Sequence, residues 1–336
     1  MATNDFLPFG GDGAANVITQ AEYAALLARL TGFQSGVAHS DELNKVWRQA
    51  SIMAAVLAQF IADRSLQDVV DDGSTETILS NLKAVLPVNA APQGQLSYNA
   101  GNLLLSPYRG NKVFIPGQGI ATIPNGGVSY TPAALTTNTL YYVYATLVSG
   151  SLVLQLSTTG HATDATGVEV MTGDNTKALV GMAYALGATS IEATVRSWAN
   201  DPGYATVKNL TSNSSTTSTT PTNINTSLIT PFLLWAKEIP TISVISGVSV
   251  STANFSAGTT IAVDNAVLPG GIATVTPPAA GASYSSALTQ FAVGLAEGRH
   301  TANLFGNVVG SVTGTWSGSA GTSSQTSLSF SIPPHN

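Results

Sequence analysis

The sequence predicts a mainly β protein with an N-terminal α-helical segment, and three observations carry that expectation. Between Leu43 and Ile61, apolar residues recur at alternating spacings of three and four, the period of one helix face. Beyond Pro87, β-branched and aromatic runs alternate with Gly, Asn and Asp turn residues, the pattern of short antiparallel strands. Charge thins at the same place. Residues 1–86 hold ten acids and five bases, whereas the 250 residues that follow hold eight acids and seven bases. A soluble domain carries about 25% charged residues. So charge-poor a region must hide its flanks or coat them with hydroxyls and amides. A helical anchor followed by a hydroxyl-coated β shaft suits an elongated assembly better than a catalytic pocket.

The bulk composition narrows the function classes. At roughly 100–200 residues per domain, 336 residues imply two or three domains. The formal net charge of −6 argues against a nucleic-acid partner, because phosphate binding needs clustered Lys and Arg. The chain has no cysteine, which excludes a disulfide framework and a thiolate metal site. The opening MATNDFLPFGGDG has no cationic start followed by an apolar stretch, so no secretory signal peptide is read there. Residues 46–62 are interrupted by Arg48, Gln49, Ser51 and Gln59, too polar and too short to cross a bilayer, and no membrane insertion is expected. Asn-x-Ser/Thr triplets at Asn209, Asn213, Asn225 and Asn254 read as chance matches in a Thr-rich chain.

The helical segment is expected over residues 1–86. Thr19-Gln20-Ala21-Glu22 fits a capping box, in which hydroxyl and carboxylate each satisfy an orphan backbone N–H. A helix of about three turns should follow and stop at Gly32. Ser40 is the next good N-cap, with Asp41 and Glu42 at the positive end of the helix dipole. The helix over 41–64 carries Leu43, Val46, Trp47, Ala50, Met53, Ala54, Leu57, Phe60 and Ile61. That face is either the buried side of a small three-helix domain or a seam joining copies around an axis. After the Asp71-Asp72-Gly73-Ser74 break, a third helix carries Ile78, Leu79, Leu82, Val85 and Leu86 and ends before Pro87.

Residues 87–94 (PVNAAPQG) read as a linker. A first β module follows over 95–202. Its clearest hairpin joins LYYVYATLV (140–148) to SLVLQLS (151–157) through Ser149-Gly150. Strands over 168–172 and 177–186 flank Gly173-Asp174-Asn175, and 191–198 closes the module. A second β module is expected over 203–336, with strands at 232–239, 241–250, 259–267, 286–295, 300–306, 308–316 and 326–332 and a hairpin turn at Glu297-Gly298. The stretch 211–230 holds 13 Ser or Thr and reads either as disordered or as a Thr-rich edge strand. No helical crossovers separate these strands, so two antiparallel sandwiches fit better than a parallel sheet.

Long local stretches carry a family resemblance. NDFLPFGGDGAANVITQAEYAALLARLTGFQSGVA (4–38) and LNKVWRQASIMAAVLAQFI (43–61) resemble the tail-attachment segment of tailed-bacteriophage tail fibre proteins. Residues 140–184 resemble a β module that follows it in such fibres, and FAVGLAEGRHTANLFG (291–306) is similar to their closing sandwich. The resemblance covers about half the chain. It implies two antiparallel β-sandwich modules in an elongated homotrimer. The fibre would attach by its N-terminus to tail-tip or baseplate proteins and recognise a bacterial surface receptor through its C-terminal module. The chain would then be a virion component. It departs from the family in lacking a long collagen-like or heptad shaft, so a brace that positions another fibre is the alternative. The attachment and oligomer seam expected is Leu43, Val46, Trp47, Ala50, Met53, Leu57, Phe60 and Ile61.

Chemistry beyond binding is not expected. His39, His161, His300 and His335 do not pair at metal-ligand spacing, and neither a metal nor a cofactor is anticipated. His161-Ala162-Thr163-Asp164 reads as a polar hairpin loop. Glycoside cleavage needs two facing carboxylates, and Asp164, Glu169 and Asp174 sit in or beside turns. No Gly-x-Ser-x-Gly elbow precedes a helix, so no enzyme is read. Sugar binding needs exposed aromatics with nearby amides. Tyr284, Trp235 and Trp316 are the candidates, although a core anchor is the favoured reading of each because β-sandwiches bury their large aromatics, and Arg299 and His300 form a candidate receptor-contact loop.

Overall fold

The computed structural model describes residues 2–65, 67–85, 93–318 and 325–335. The chain divides into two compact units, Met1–Val88 and Asn89–Asn336. The linker expected at 87–94 and the third helix's end at Leu86 and Pro87 lie largely outside the described residues.

The first unit is helical. Thr19 caps α1 (Gln20–Ala25) with the reciprocal Thr19–Glu22 box that the sequence predicts, at 3.2 Å and 2.7 Å. The three-turn helix expected up to Gly32 is instead two short pieces. Leu26 turns extended and donates its N–H to Tyr23 O, ending α1, and α2 (Ala28–Thr31) stops at Gly32 with φ 76°. That left-handed angle suits glycine. α3 (Ser40–Ser65) is long, with Asp41 and Glu42 in its first turn, and α4 (Glu76–Val85) follows the Gly73 turn at φ 81°. The core of this unit is small: Ala58, Ile61, Ala62 and Val69, flanked by Ala2, Phe6, Ile78 and Leu82.

The second unit is mainly β, and its ladders run antiparallel. Over residues 95–202, strand Thr139–Val148 pairs Ser151–Ser157 through Ser149 (φ 49°) and Gly150 (φ 78°). Two positive φ values in a two-residue loop match the right-handed twist of the flanking strands. Strand Asp174–Gly187 pairs the other side of Thr139–Val148. A three-stranded sheet of Gln95–Asn99, Asn102–Ser106 and Val128–Tyr130 shares its core, which includes Leu96, Leu103, Leu105, Val143, Ala145 and Ala183. The strand expected over 191–198 is interrupted. Ser190–Ile191 and Arg196–Ser197 each pair Asp174–Gly187, and the buried Glu192 and Thr194 between them bond each other.

Residues beyond 203 form two six-stranded sheets that line one core, with Trp316, Phe232, Ile242, Val244, Ile261, Leu304, Leu328 and Phe330 among its members. Strand Thr241–Val250 has the bounds expected. The Thr-rich stretch contributes Ser214–Thr216 as a sheet edge, Thr222–Asn223 and a 3-10 turn at Thr226–Leu228. Glu297-Gly298 is not a hairpin turn. Tyr284–Phe291 pairs Thr241–Val250, whereas Gly298–Val308 pairs Ala257–Val263, so the segment between them crosses from one sheet to the other. Gly298–Val308 absorbs the two separate strands expected on either side of Asn307, and the second resumes only as Gly314–Trp316.

Candidate functional site

The residues expected to form the helical seam differ in exposure along α3. Ile61 is buried against α4, and Leu43 and Val46 are half-buried. Trp47, Met53 and Leu57 are 53%, 68% and 49% exposed, and Ala50 and Phe60 are exposed with them. Val56 and Ile52 widen the apolar stripe. Phe9 meets Trp47 edge-on at 5.8 Å. An α3 face this apolar stands out on a unit whose hydrophobic core, among the described residues, holds four buried side chains. Lys45 is buried beside the Tyr23 ring, 5.9 Å from its centroid.

The candidate receptor contacts do not form one surface. Trp316 is fully buried, with its Nε1 donating to Thr259 Oγ1 at 2.9 Å, and Trp235 is buried with its Nε1 on Ser197 O. Both are core anchors, the favoured of the two readings, and burial removes Trp316 from the candidate receptor contacts. Arg299 is a structural tie. Its guanidinium holds Glu192 at 3.0 and 2.9 Å and stacks on Tyr184 at 4.3 Å. Both ring nitrogens of His300 are engaged, by Asp264 at 2.6 Å and Ala296 O at 2.8 Å. Tyr284 remains exposed at 44%. Elsewhere, a groove of 420 Å³ runs over Ala205, Val207, Thr241, Ser243, Ser329 and Ser331, with no charged side chain in its lining.

The polar chemistry converges where residues 95–202 meet residues 203–336. Arg196, 2% exposed, donates Nε to Asp201 at 2.8 Å and both terminal nitrogens to Glu238 at 3.1 and 2.8 Å, and it also reaches Leu233 O. Asp201 in turn accepts the backbone N–H groups of Ser197 and Gly203. Trp198 and Trp235 pack edge to face at 4.9 Å, and His335 lies against both rings with Nδ1 3.3 Å from Glu238. Burial opposes the Glu238 charge. The His335 bond, the Arg196 charge and the Trp235 N–H outweigh it and hold the carboxyl below its usual range.

His161 is the centre of a second cluster. Nδ1 meets Glu169 at 2.6 Å, and Nε2 meets the two Glu297 oxygens at 3.2 and 3.3 Å. The Tyr142 hydroxyl donates to Glu297 at 2.6 Å, Ala236 N–H reaches the same carboxylate, and Thr163 bonds Glu169. The Glu297 bond, opposed by burial and aided by Glu169, raises the His161 pKa above the ordinary imidazole value. Burial and the Glu297 carboxylate push Tyr142 up. Thus five of the eight acids after residue 86 (Glu169, Glu192, Asp201, Glu238 and Glu297) meet two arginines and two histidines here. Glu169 and Glu297 occupy opposite ring nitrogens of His161. Among the described residues, no group of three His, Cys, Asp or Glu could hold a metal ion, and no helix is long and apolar enough to cross a membrane.

The sequence reading missed this cluster. The sequence places His161 in a polar hairpin loop, but it lies in the strand His161–Thr163, and its partner Glu297 is 136 residues away. One usable signal exists: in so charge-poor a region, Glu192 falls inside the alternating run 191–198 rather than at a turn.

No family model matches the chain, and no curated protein matches it. Solved structures similar to it include that of the infectious bursal disease virus Gx strain, at 12% identity and a TM-score of 0.24, covering 72% of this chain and 75% of that one. The Gt strain of the same virus gives 10% and 0.25, covering 72% and 79%. A Cry1Da tryptic core variant from Bacillus thuringiensis gives 10% and 0.21, covering 72% and 50%. Likenesses this slight leave the reading to the chain's own residues.

Proposed function

We propose that this chain is a tail fibre of a tailed bacteriophage, built as a homotrimer with β-sandwich modules. Its N-terminal unit docks on tail-tip or baseplate proteins, and its β unit recognises a bacterial surface receptor without cleaving it. The observation that carries the reading is the stripe Trp47, Met53, Val56 and Leu57 on α3, exposed on a unit with so small a core. At roughly 25 cal/mol per Å² of apolar surface buried, such a core offers little against the entropy of ordering the unit's chain. A seam with further copies and with a docking partner supplies the missing burial. The heptad spacing supports copies of the same helix as one of the occupants. Sedimentation velocity of the purified chain tests the reading: a trimer supports it, and a monomer at micromolar concentration that also fails to assemble on tails overturns it. A structural brace that positions another fibre shares the anchor and the β unit. Binding of the purified protein to susceptible cells, with block of infection, separates the two.

A further inference from the structure

The joint between the two halves of the β unit is short of positive charge. Glu169, Glu192, Asp201, Glu238 and Glu297 carry five negative charges, and Arg196 and Arg299 return two. Lys237 lies exposed on the adjacent turn. The other basic groups in contact with these carboxylates, among the described residues, are the imidazoles of His161 and His335. His161 is the sharper case, because its two ring nitrogens join carboxylates from different halves, Glu169 from the first and Glu297 from the second. A neutral imidazole has one N–H and donates to only one of them; an imidazolium donates to both.

We propose that the joint is a proton-dependent clasp, in which a protonated His161 ties the two halves together and its deprotonation loosens the tie. The groups facing His161 define the effect. Glu169 lies on strand Glu169–Met171 and Glu297 on the crossing segment, with the Tyr142 hydroxyl bonded to Glu297. The rings of Tyr142, Trp198 and Trp235 surround the imidazole at 5.4, 5.3 and 6.0 Å. Tyr144 feels both carboxylates from Thr139–Val148, and behind the tryptophans lie His335, Glu238, Arg196 and Asp201. When His161 loses its proton, two carboxylates converge on a neutral ring walled by aromatics, and one of them loses the imidazole as a donor.

The sign follows from linkage. A group whose folded pKa lies above its unfolded value stabilises fully below the unfolded value, and loses that contribution as pH rises through the folded one. The clasp is therefore closed at mildly acidic pH and weakens on passing into the alkaline range. At strongly acidic pH it fails for the opposite reason. The Glu297 and Glu238 carboxyls are held below their usual range, so protonating them removes the acceptors.

The test is hydrogen exchange by mass spectrometry on the full chain at pH 6 and pH 8.5, corrected for intrinsic rates, for wild type and His161→Gln. In wild type, peptides covering 157–172, 232–239 and 292–300 exchange roughly 2–10-fold faster at the higher pH, while the core strand Thr241–Val250 does not change. His161→Gln, which removes this titrating group, loses the pH response over 157–172 and 292–300, where its two carboxylates lie. Equal pH responses in the two proteins overturn the proposal. Should the glutamine variant fail to fold, an NMR titration of the wild-type imidazole decides. Expected is a pKa above the ordinary value that falls in Glu297→Gln, and an ordinary pKa in wild type overturns the proposal.

Discussion

The two units solve the problem of charge and burial in opposite ways. The helical unit carries most of its charges at its surface and leaves Trp47, Met53, Val56 and Leu57 exposed. The β unit builds large apolar cores, though Ile120, Val207, Phe291 and Val293 stay exposed, and it draws most of its carboxylates into one joint. On the proposed reading, the first arrangement takes the rest of its burial from a partner. The second is complete within one chain, because every carboxylate at the joint meets an arginine or a histidine.

The largest effect is expected where the two arrangements differ most. Leu57→Asp leaves the single chain nearly as stable, because Leu57 is half exposed there. It removes assembly, since a seam closed over that side chain would bury an unpaired carboxylate at a cost of several kcal/mol. The measurement is sedimentation velocity beside the melting curve of the β unit, which should not move. Were the variant to assemble like wild type, α3 would not be the seam.

Next comes Arg196→Ala, which leaves Asp201 and Glu238 buried without their cation. About 3–5 kcal/mol of β-unit stability is expected to be lost, read from urea unfolding. A loss under 1 kcal/mol would mean that water reaches the joint. Gly306→Ala is smaller. Its Cβ would lie 2.3 Å from Trp316 Cζ2 and 2.5 Å from Ile224 Cδ1, and overpacking of that kind costs about 1–3 kcal/mol. Smallest is Thr19→Ala, which removes half of the capping box for roughly 1 kcal/mol. Only exchange of the first-turn amides of α1 should report it.

What the sequence disclosed tracks the range of the interactions. The capping box at Thr19 and the Ser149-Gly150 turn depend on neighbours a few residues away, strand Thr241–Val250 announces itself by its own alternation, and each stands where the pattern puts it. The joint was illegible because its partners lie far apart: Glu192 with Arg299 across 107 residues, Arg196 with Glu238 across 42. Glu297-Gly298 has the composition of a hairpin turn, yet the strands beside it pair in different sheets, a choice made by the core and not by the turn. Trp316 shows the same limit. An aromatic in a β run serves core or surface alike, and only its burial against Thr259 decides.

The central claim is that the helical unit needs copies of itself while the β unit does not. The direct measurement is the mass in solution of the full chain beside that of residues 89–336, both at micromolar concentration. The account predicts three times the 34.3 kDa chain mass for the full chain, and a folded monomer with a cooperative melt for 89–336. A monomeric full chain whose helical unit melts cooperatively on its own would contradict it.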